Sequence, residues 1–260
     1  MPSPTPTQIT VSQLSHLIGT PGASCIVDVC TDEDFALNPR LIPTAIRHPY
    51  NDIQALVTQL ASRHVVIVCH KGLKLSQGAA AILRANGINA ESLLGGNVAW
   101  QANGEISIPV SKLPEFNRDK PTLWVTQHQP KIDQMACSWL IRRFIDPCAQ
   151  FLFVSTSEVL TVAERFKAIP FGINGVFWGS REQQCTFDTM IEGLELKTSA
   201  LKQLALMIRG ADTNQLNLTA QSAGLLAFSL GLSRMYLDDL KQLEIGLIFY
   251  DSLYRWVRDE

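Results

Sequence analysis

The most constraining stretch of this chain is residues 63–69, R-H-V-V-I-V-C, followed at once by H-K-G-L-K and then by L-S-Q-G-A-A-A-I-L-R-A-N-G. An unbroken apolar run rich in β-branched residues fits a strand covered on both faces, the habit of parallel sheets. A parallel strand needs a crossover to reach it, so strand and helix should alternate around it. The surrounding residues follow that pattern. Q-I-T-V-S-Q-L-S-H-L-I reads as a strand start and a short helix, and S-C-I-V-D-V-C as a short strand. T-D-E-D-F-A-L reads as a helix start with Thr31 as cap and acidic residues in the first turn. I-Q-A-L-V-T-Q-L-A has helical periodicity, and the helix after the H-K-G-L-K loop should stop at Gly87. N-A-E-S-L-L-G-G-N-V-A-W-Q-A-N-G closes the region as strand, Gly-Gly turn and helix. The expectation is an α/β parallel-sheet domain over residues 1–105.

Residues 106–121 hold three prolines and mixed charges without a sustained period, and read as a linker. Residues 122–260 read as a second, mostly α-helical domain. P-K-I-D-Q-M-A-C-S-W-L-I-R-R-F-I starts with Pro130, suited to a first turn, and S-E-V-L-T-V-A-E-R-F-K-A-I should be capped by Ser157 or Thr156. Leu201, Leu204, Ala205 and Ile208 share one helical face. The last helix, L-D-D-L-K-Q-L-E-I-G-L-I-F-Y-D-S-L-Y-R-W-V, is apolar nearly all round and is expected at the centre of its domain. A-Q-F-L-F-V-S and G-V-F-W-G-S-R-E-Q-Q-C-T-F are candidate β segments.

Composition bounds the function. The 260 residues are 46% hydrophobic and 18% charged with a net charge of −2, so nothing drives the chain to nucleic acid or to an anionic membrane. The N-terminus carries early prolines and no continuous apolar run, and charged residues interrupt the apolar C-terminal stretches. The expectation is a cytoplasmic protein without signal peptide or membrane span. Its six cysteines include no C-x-x-C pair and are expected as free thiols, mostly small core residues. Cys69 differs by its place. A loop from a strand end into a helix start points backbone N–H groups inward, and the helix N-terminus favours a thiolate, the nucleophilic form. Lys71 and Lys74 add positive charge if they face the site. A buried cysteine before an ordinary turn is the competing reading.

The loop C-H-K-G-L-K, Cys69 to Lys74, with I-V-D-V-C-T-D-E-D-F-A-L-N-P-R-L-I-P-T-A and L-L-G-G-N-V-A-W-Q-A-N-G, resembles the rhodanese family of sulfurtransferases over most of residues 8–105. The resemblance implies that Cys69 is the catalytic cysteine and that His70, Lys71, Gly72, Leu73 and Lys74 form the substrate-binding loop. It implies a persulfide cycle with a small anionic sulfur donor and a thiol acceptor, needing no cofactor. Cys30 stands where the family usually has arginine, Lys74 where arginine or threonine is usual, and Leu75 where serine follows. A related phosphatase loop would be one residue longer and end in arginine, but Leu75 fills that place.

Residues 122–260 resemble the domain shared by chromate-resistance proteins and chromate-responsive regulators. The resemblance rests on W-V-T-Q-H-Q-P-K-I-D-Q-M-A-C-S-W-L-I-R-R-F-I-D-P, C-T-F-D, M-I-R-G-A-D-T, A-G-L-L-A-F-S-L-G-L-S and L-Y-R-W. The whole chain thus looks like a sulfurtransferase tied to chromate or oxidative stress. The alternative is a sensor or binding protein whose helical domain holds a metal or an oxyanion. Within that domain Glu244 and Asp251 lie seven apart on one helix face, Asp133 and Cys137 four apart on another, and Asp212 between two apolar helices. Carboxylates among apolar helices need partners, so these four carboxylates either pair internally with arginines such as Arg142, Arg143, Arg209 and Arg234 or, with Cys137, line a pocket for a divalent metal or an oxyanion.

Overall fold

The computed structural model describes residues 6–114 and 121–259. The chain divides into two compact units that part between Ser111 and Lys112.

The first unit is built on a five-stranded parallel sheet. Its strands, in spatial order, are β1 (Gln8–Ile9), β6 (Asn89–Leu93), β5 (His64–Val68), β2 (Cys25–Asp28) and β4 (Ile46–Arg47). Val65 to Val68 are almost wholly shielded from solvent, as a central strand covered on both faces must be. Helix α1 (Val11–Leu17) opens with a capping box in which Thr10 and Gln13 each accept the other's backbone N–H. Helix α2 (Asp32–Ala36) is capped by Thr31, which accepts the Asp34 N–H. A three-ten turn over Tyr50–Leu56 leads into α3 (Val57–Leu60), and α4 (Lys74–Ala85) and α5 (Gly96–Ala102) complete the unit. Gly87 follows α4 with a φ of 77°, the left-handed turn expected of it. Ser24 Oγ, His64 and Glu91 form a hydrogen-bonded chain, at 2.7 and 2.8 Å, that ties the starts of β2 and β5 to the middle of β6.

The segment read as a linker begins as structure. Strand β7 (Ile108–Pro109) pairs antiparallel with β3 (Arg40–Leu41), and Ile108 is 1% exposed. Trp100 Nε1 donates to the Ile106 carbonyl, and Arg40 Nε to Ser107 Oγ, both at 2.9 Å. Ile106 and Ile108 are apolar alternates inside a proline-rich stretch; β3 pairs with Ile108, and Trp100 takes the Ile106 carbonyl. Residues 115–120 of the expected linker lie outside the described residues. A fragment ending at residue 105 is expected to melt below one ending at residue 111. Losing the Ile108 burial costs about 2 kcal/mol, which is roughly 10 °C for a domain of this size; thermal circular dichroism of the two fragments checks it.

The second unit contains a three-stranded parallel sheet that sequence reading did not foresee as such. Its order is β10 (Ile169–Pro170), β8 (Leu123–Gln127) and β9 (Gln150–Val154). β9 falls in A-Q-F-L-F-V-S as expected. G-V-F-W-G-S-R-E-Q-Q-C-T-F makes only isolated bridges, and its end starts a helix. The helices are α6 (Ile132–Leu140), α7 (Val159–Phe166), α8 (Thr186–Gly193), α9 (Ser199–Asp212), α10 (Ser222–Met235) and α11 (Asp239–Asp259). α6 runs on as a π-helical turn through Ile145. Ser155, not Ser157 or Thr156, opens the turn before α7, bonding Glu158 through its side chain and its carbonyl. Leu201, Leu204, Ala205 and Ile208 are all buried on the inner face of α9.

The central helix is α6, buried at every residue, rather than α11. α11 turns Leu243, Leu247, Tyr250, Tyr254 and Val257 inward but leaves Leu240, Ile248 and Trp256 exposed. Apolar residues all round a helix do not require burial all round, because folded surfaces carry much apolar area. Among the described residues no helix is long and apolar enough to cross a membrane.

Candidate active site

Cys69 directly follows β5 and is 4% exposed. The chain then turns through His70 to Leu73 into α4. Two close approaches set the loop's path. Gly72 has a φ of 67°, and a Cβ there would stand 2.3 Å from the Leu93 carbonyl oxygen. Gly96 has a φ of 58°, and a Cβ there would stand 2.1 Å from the Cys69 carbonyl oxygen and 2.4 Å from the Gly72 nitrogen. Only glycine fits both places. The Asn97 and Val98 N–H groups, at the start of α5, donate to the Cys69 and His70 carbonyls, each at 3.0 Å. With two of its carbonyls so occupied, the loop lies beside the N-terminus of α4, whose first N–H groups have no partner within the helix.

The Cys69 Sγ–H donates to Ser76 Oγ at 3.1 Å, and Ser76 is fully buried. Lys71, Leu73 and Lys74 are exposed and His70 is half-buried. Behind the loop, Asp28 is buried and accepts the Cys30 N–H at 2.9 Å and Asn97 Nδ2 at 2.8 Å. Asn97 Nδ2 also reaches Cys30 Sγ at 3.4 Å. Burial, reinforced by the Asp28 charge, pushes the Cys30 thiol far above its ordinary range, so it stays protonated.

In the second unit, Asp133, Cys137 and Asp212 come together, while Glu244 and Asp251 are bound elsewhere. Asp133 Oδ2 and Oδ1 accept the Thr186 and Phe187 N–H groups at 2.9 Å each, capping α8 from outside its own helix. Cys137 Sγ lies 3.7 Å from Asp133 Oδ1. Cys185 and Asp188 form a reciprocal cap at the start of α8, and Arg209 Nη2 donates to Asp188 at 3.3 Å. Asp212, exposed at the C-terminal end of α9, lies near the start of α6, where the Asp133 charge opposes its own and Lys131 favours it. Glu244 pairs with Arg142 at 2.7 Å. Asp251 takes a two-pronged pair from Arg143, at 2.7 and 2.8 Å, and the Trp139 Nε1–H at 2.8 Å.

Two family descriptions match the chain, "ChrB, C-terminal domain" over residues 124–257 and "Rhodanese-like domain" over residues 10–103. The chain belongs to the ChrB C-terminal domain family and carries a rhodanese-like domain before it. The Protein ChrB of Cupriavidus metallidurans is 31% identical over 133 residues, which cover 50% of this chain and 39% of that protein. The chain thus aligns with well under half of that relative's length. A rhodanese-like domain protein from Staphylococcus aureus is 33% identical, over 36% of this chain and 90% of its own, with a TM-score of 0.33. The thiosulfate sulfurtransferase of Pseudomonas aeruginosa is 26% identical, over 41% of this chain and 20% of its own, with a TM-score of 0.36.

In the ChrB C-terminal domain, then, three of the four carboxylates singled out from sequence have structural partners: Asp133 caps α8, and Glu244 and Asp251 pair with arginines. Negative charge gathers around Asp133: burial first, and Asp133 next, raise the Cys137, Cys185 and Tyr250 values. Among the described residues no group of three or more His, Cys, Asp and Glu side chains is placed to hold a metal ion. Sequence reading missed Cys185, Asp188 and the capping role of Asp133, because a cap supplied by another helix leaves no local spacing to read. In the rhodanese-like domain it missed Asp28, Asn97 and Ser76. Ser76 alone had a signal, a hydroxyl in the first turn after the loop.

Desolvation, with the Asp133 charge added, raises the Asp212 carboxyl from 3.8 to about 6. An acid raised by folding favours the folded state while protonated. That contribution is complete below about pH 4 and is lost as the pH climbs to about 6. The wild type is therefore expected to lose melting temperature relative to Asp212→Asn across that interval. Parallel melting curves at stepped pH would contradict the assignment.

Proposed function

We propose that the protein is a sulfurtransferase that works through a Cys69 persulfide, in a setting of chromate or oxidative stress. The observation that carries this reading is the Cys69 loop, held by Gly72, Gly96 and the α5 N–H groups beside the N-terminus of α4. Exposed Lys71 and Lys74 supply positive charge at the rim for an anionic donor. In the first step the Cys69 thiolate attacks the outer sulfur of thiosulfate. A new sulfur–sulfur bond forms, the donor's own sulfur–sulfur bond breaks, and sulfite leaves with the electron pair. In the second step a thiolate or cyanide attacks the outer sulfur of the persulfide, and the Cys69 thiolate departs. The kinship of the second unit with chromate-resistance proteins supports the stress setting.

Intact mass after thiosulfate treatment tests the reading. One added sulfur, mapped to Cys69, is expected. All six cysteines are free thiols and Cys148 is exposed, so sulfur found on Cys148 alone, or no added sulfur, would count against it.

A further inference from the structure

We propose that Ser76 is a catalytic residue of this site, its hydroxyl turning to donate a hydrogen bond to Cys69 Sγ when the thiol loses its proton. With the thiol protonated, Ser76 Oγ accepts the Sγ–H at 3.1 Å and donates to the Leu73 carbonyl at 3.2 Å. Both side chains are shut off from solvent, Ser76 at 0% and Cys69 at 4% exposure, so water cannot readily take the hydroxyl's place. Once the thiol proton has gone to solvent, Ser76 Oγ loses its donor and the sulfur becomes the stronger acceptor. The hydroxyl proton can then rotate from Leu73 to Sγ without any heavy atom moving. The Leu73 carbonyl is not abandoned, because it also accepts the Gln77 N–H at 3.0 Å. The rotation thus trades a neutral hydrogen bond for one to a charged atom and strands no buried group.

The role deepens the sulfurtransfer reading and rests on it for the two transfer steps. In the second step, where the bond from Sγ to the outer sulfur breaks and Sγ takes the electron pair, the same donation stabilises the departing thiolate. Leu75 occupies the position directly after Lys74, and the serine one residue further along α4 faces the sulfur.

The other charged or ionisable groups around Cys69 are Asp28 and Cys30 at the end of β2 and Arg47 on β4, which donates to the Cys30 carbonyl. Its own loop and the α4 start bring His70, Lys71 and Lys74, and α5 brings the uncharged Asn97. All are the same in a Ser76 variant, so a wild-type comparison isolates the hydroxyl. The test is the rate of Cys69 alkylation by iodoacetamide against pH, read by peptide mass without any sulfur donor. Ser76→Ala is expected to slow alkylation roughly tenfold at neutral pH, the scale of one charge-assisted hydrogen bond. In strong base, where the thiolate forms regardless, its rate should equal the wild type's. Ser76→Thr, which keeps the hydroxyl, should restore the neutral rate. If Ser76→Ala does not melt cooperatively, Ser76→Gly removes the same group without added bulk and is read the same way. Equal neutral rates in the wild type and the variant lacking the hydroxyl overturn the proposal, as does slowing that persists in strong base, which marks a packing defect. Because the assay contains no sulfur donor, a failure of the hydroxyl role is distinguished from a failure of persulfide formation.

Discussion

Cys69→Ser is expected to reduce thiosulfate:cyanide sulfurtransfer to the uncatalysed background, a loss of at least roughly a thousandfold. A serine hydroxyl has nearly the shape of the thiol and can keep the Ser76 contact, so the fold should survive unchanged. What it lacks is an accessible anion at neutral pH and a sulfur that can carry a second sulfur. None of the other five cysteines offers the same geometry: Cys30, Cys137 and Cys185 are buried with thiols pushed well upward, Cys25 is half-buried at the start of β2, and Cys148 is exposed. Turnover surviving in Cys69→Ser would show that the sulfur is carried elsewhere and would remove the basis of the proposed function.

Asp133→Ala is expected to be among the most destabilising single changes in the second unit. It would leave the Thr186 and Phe187 N–H groups without their acceptor in a buried place, at about 2 kcal/mol for each stranded donor. A total of about 4 kcal/mol corresponds to roughly 10 °C in a domain of this length. Four of the five tryptophans, Trp124, Trp139, Trp178 and Trp256, lie in the second unit, so fluorescence-detected melting reports mainly on it. Asp133→Asn keeps one carbonyl acceptor and should lose less. An Asp133→Ala protein that melts with the wild type would mean that other acceptors, or water, take over the α8 start.

These two residues mark how far the sequence could be read. The Cys69 strand, loop and helix were legible because each part has a local cause: a β-branched run, a glycine in the turn, small residues at helical spacing. Thr31 and Gly87 were legible for the same reason. The loop's support was not. Gly96 is set against Cys69 by contacts across more than twenty residues of chain, and Asn97 reaches Asp28 across the sheet. In the second unit, Asp133 was visible as a polar residue among apolar ones, but not as the cap of a helix to which it does not belong. Strand β8 was hidden because its short run, L-W-V-T-Q, adjoins the proline-containing stretch before it. Tertiary packing, rather than local propensity, supplied what pattern reading lacked.

The Cys69 loop also divides its work between two kinds of residue. Its backbone path is held by Gly72 and Gly96 and by N–H groups of Asn97 and Val98, whose hydrogen bonds are main-chain to main-chain. The side chains of Lys71, Leu73 and Lys74 take no part in that scaffold and look outward. Selection or a protein engineer can therefore rewrite the rim without redrawing the cradle. Exchanging the two lysines for acidic or apolar residues should alter which molecules are admitted while the polypeptide beneath keeps its course. On the proposed function, the choice among sulfur donors would then rest on exposed side chains that can be exchanged freely, and the seat of the thiol on two glycines that admit no side chain.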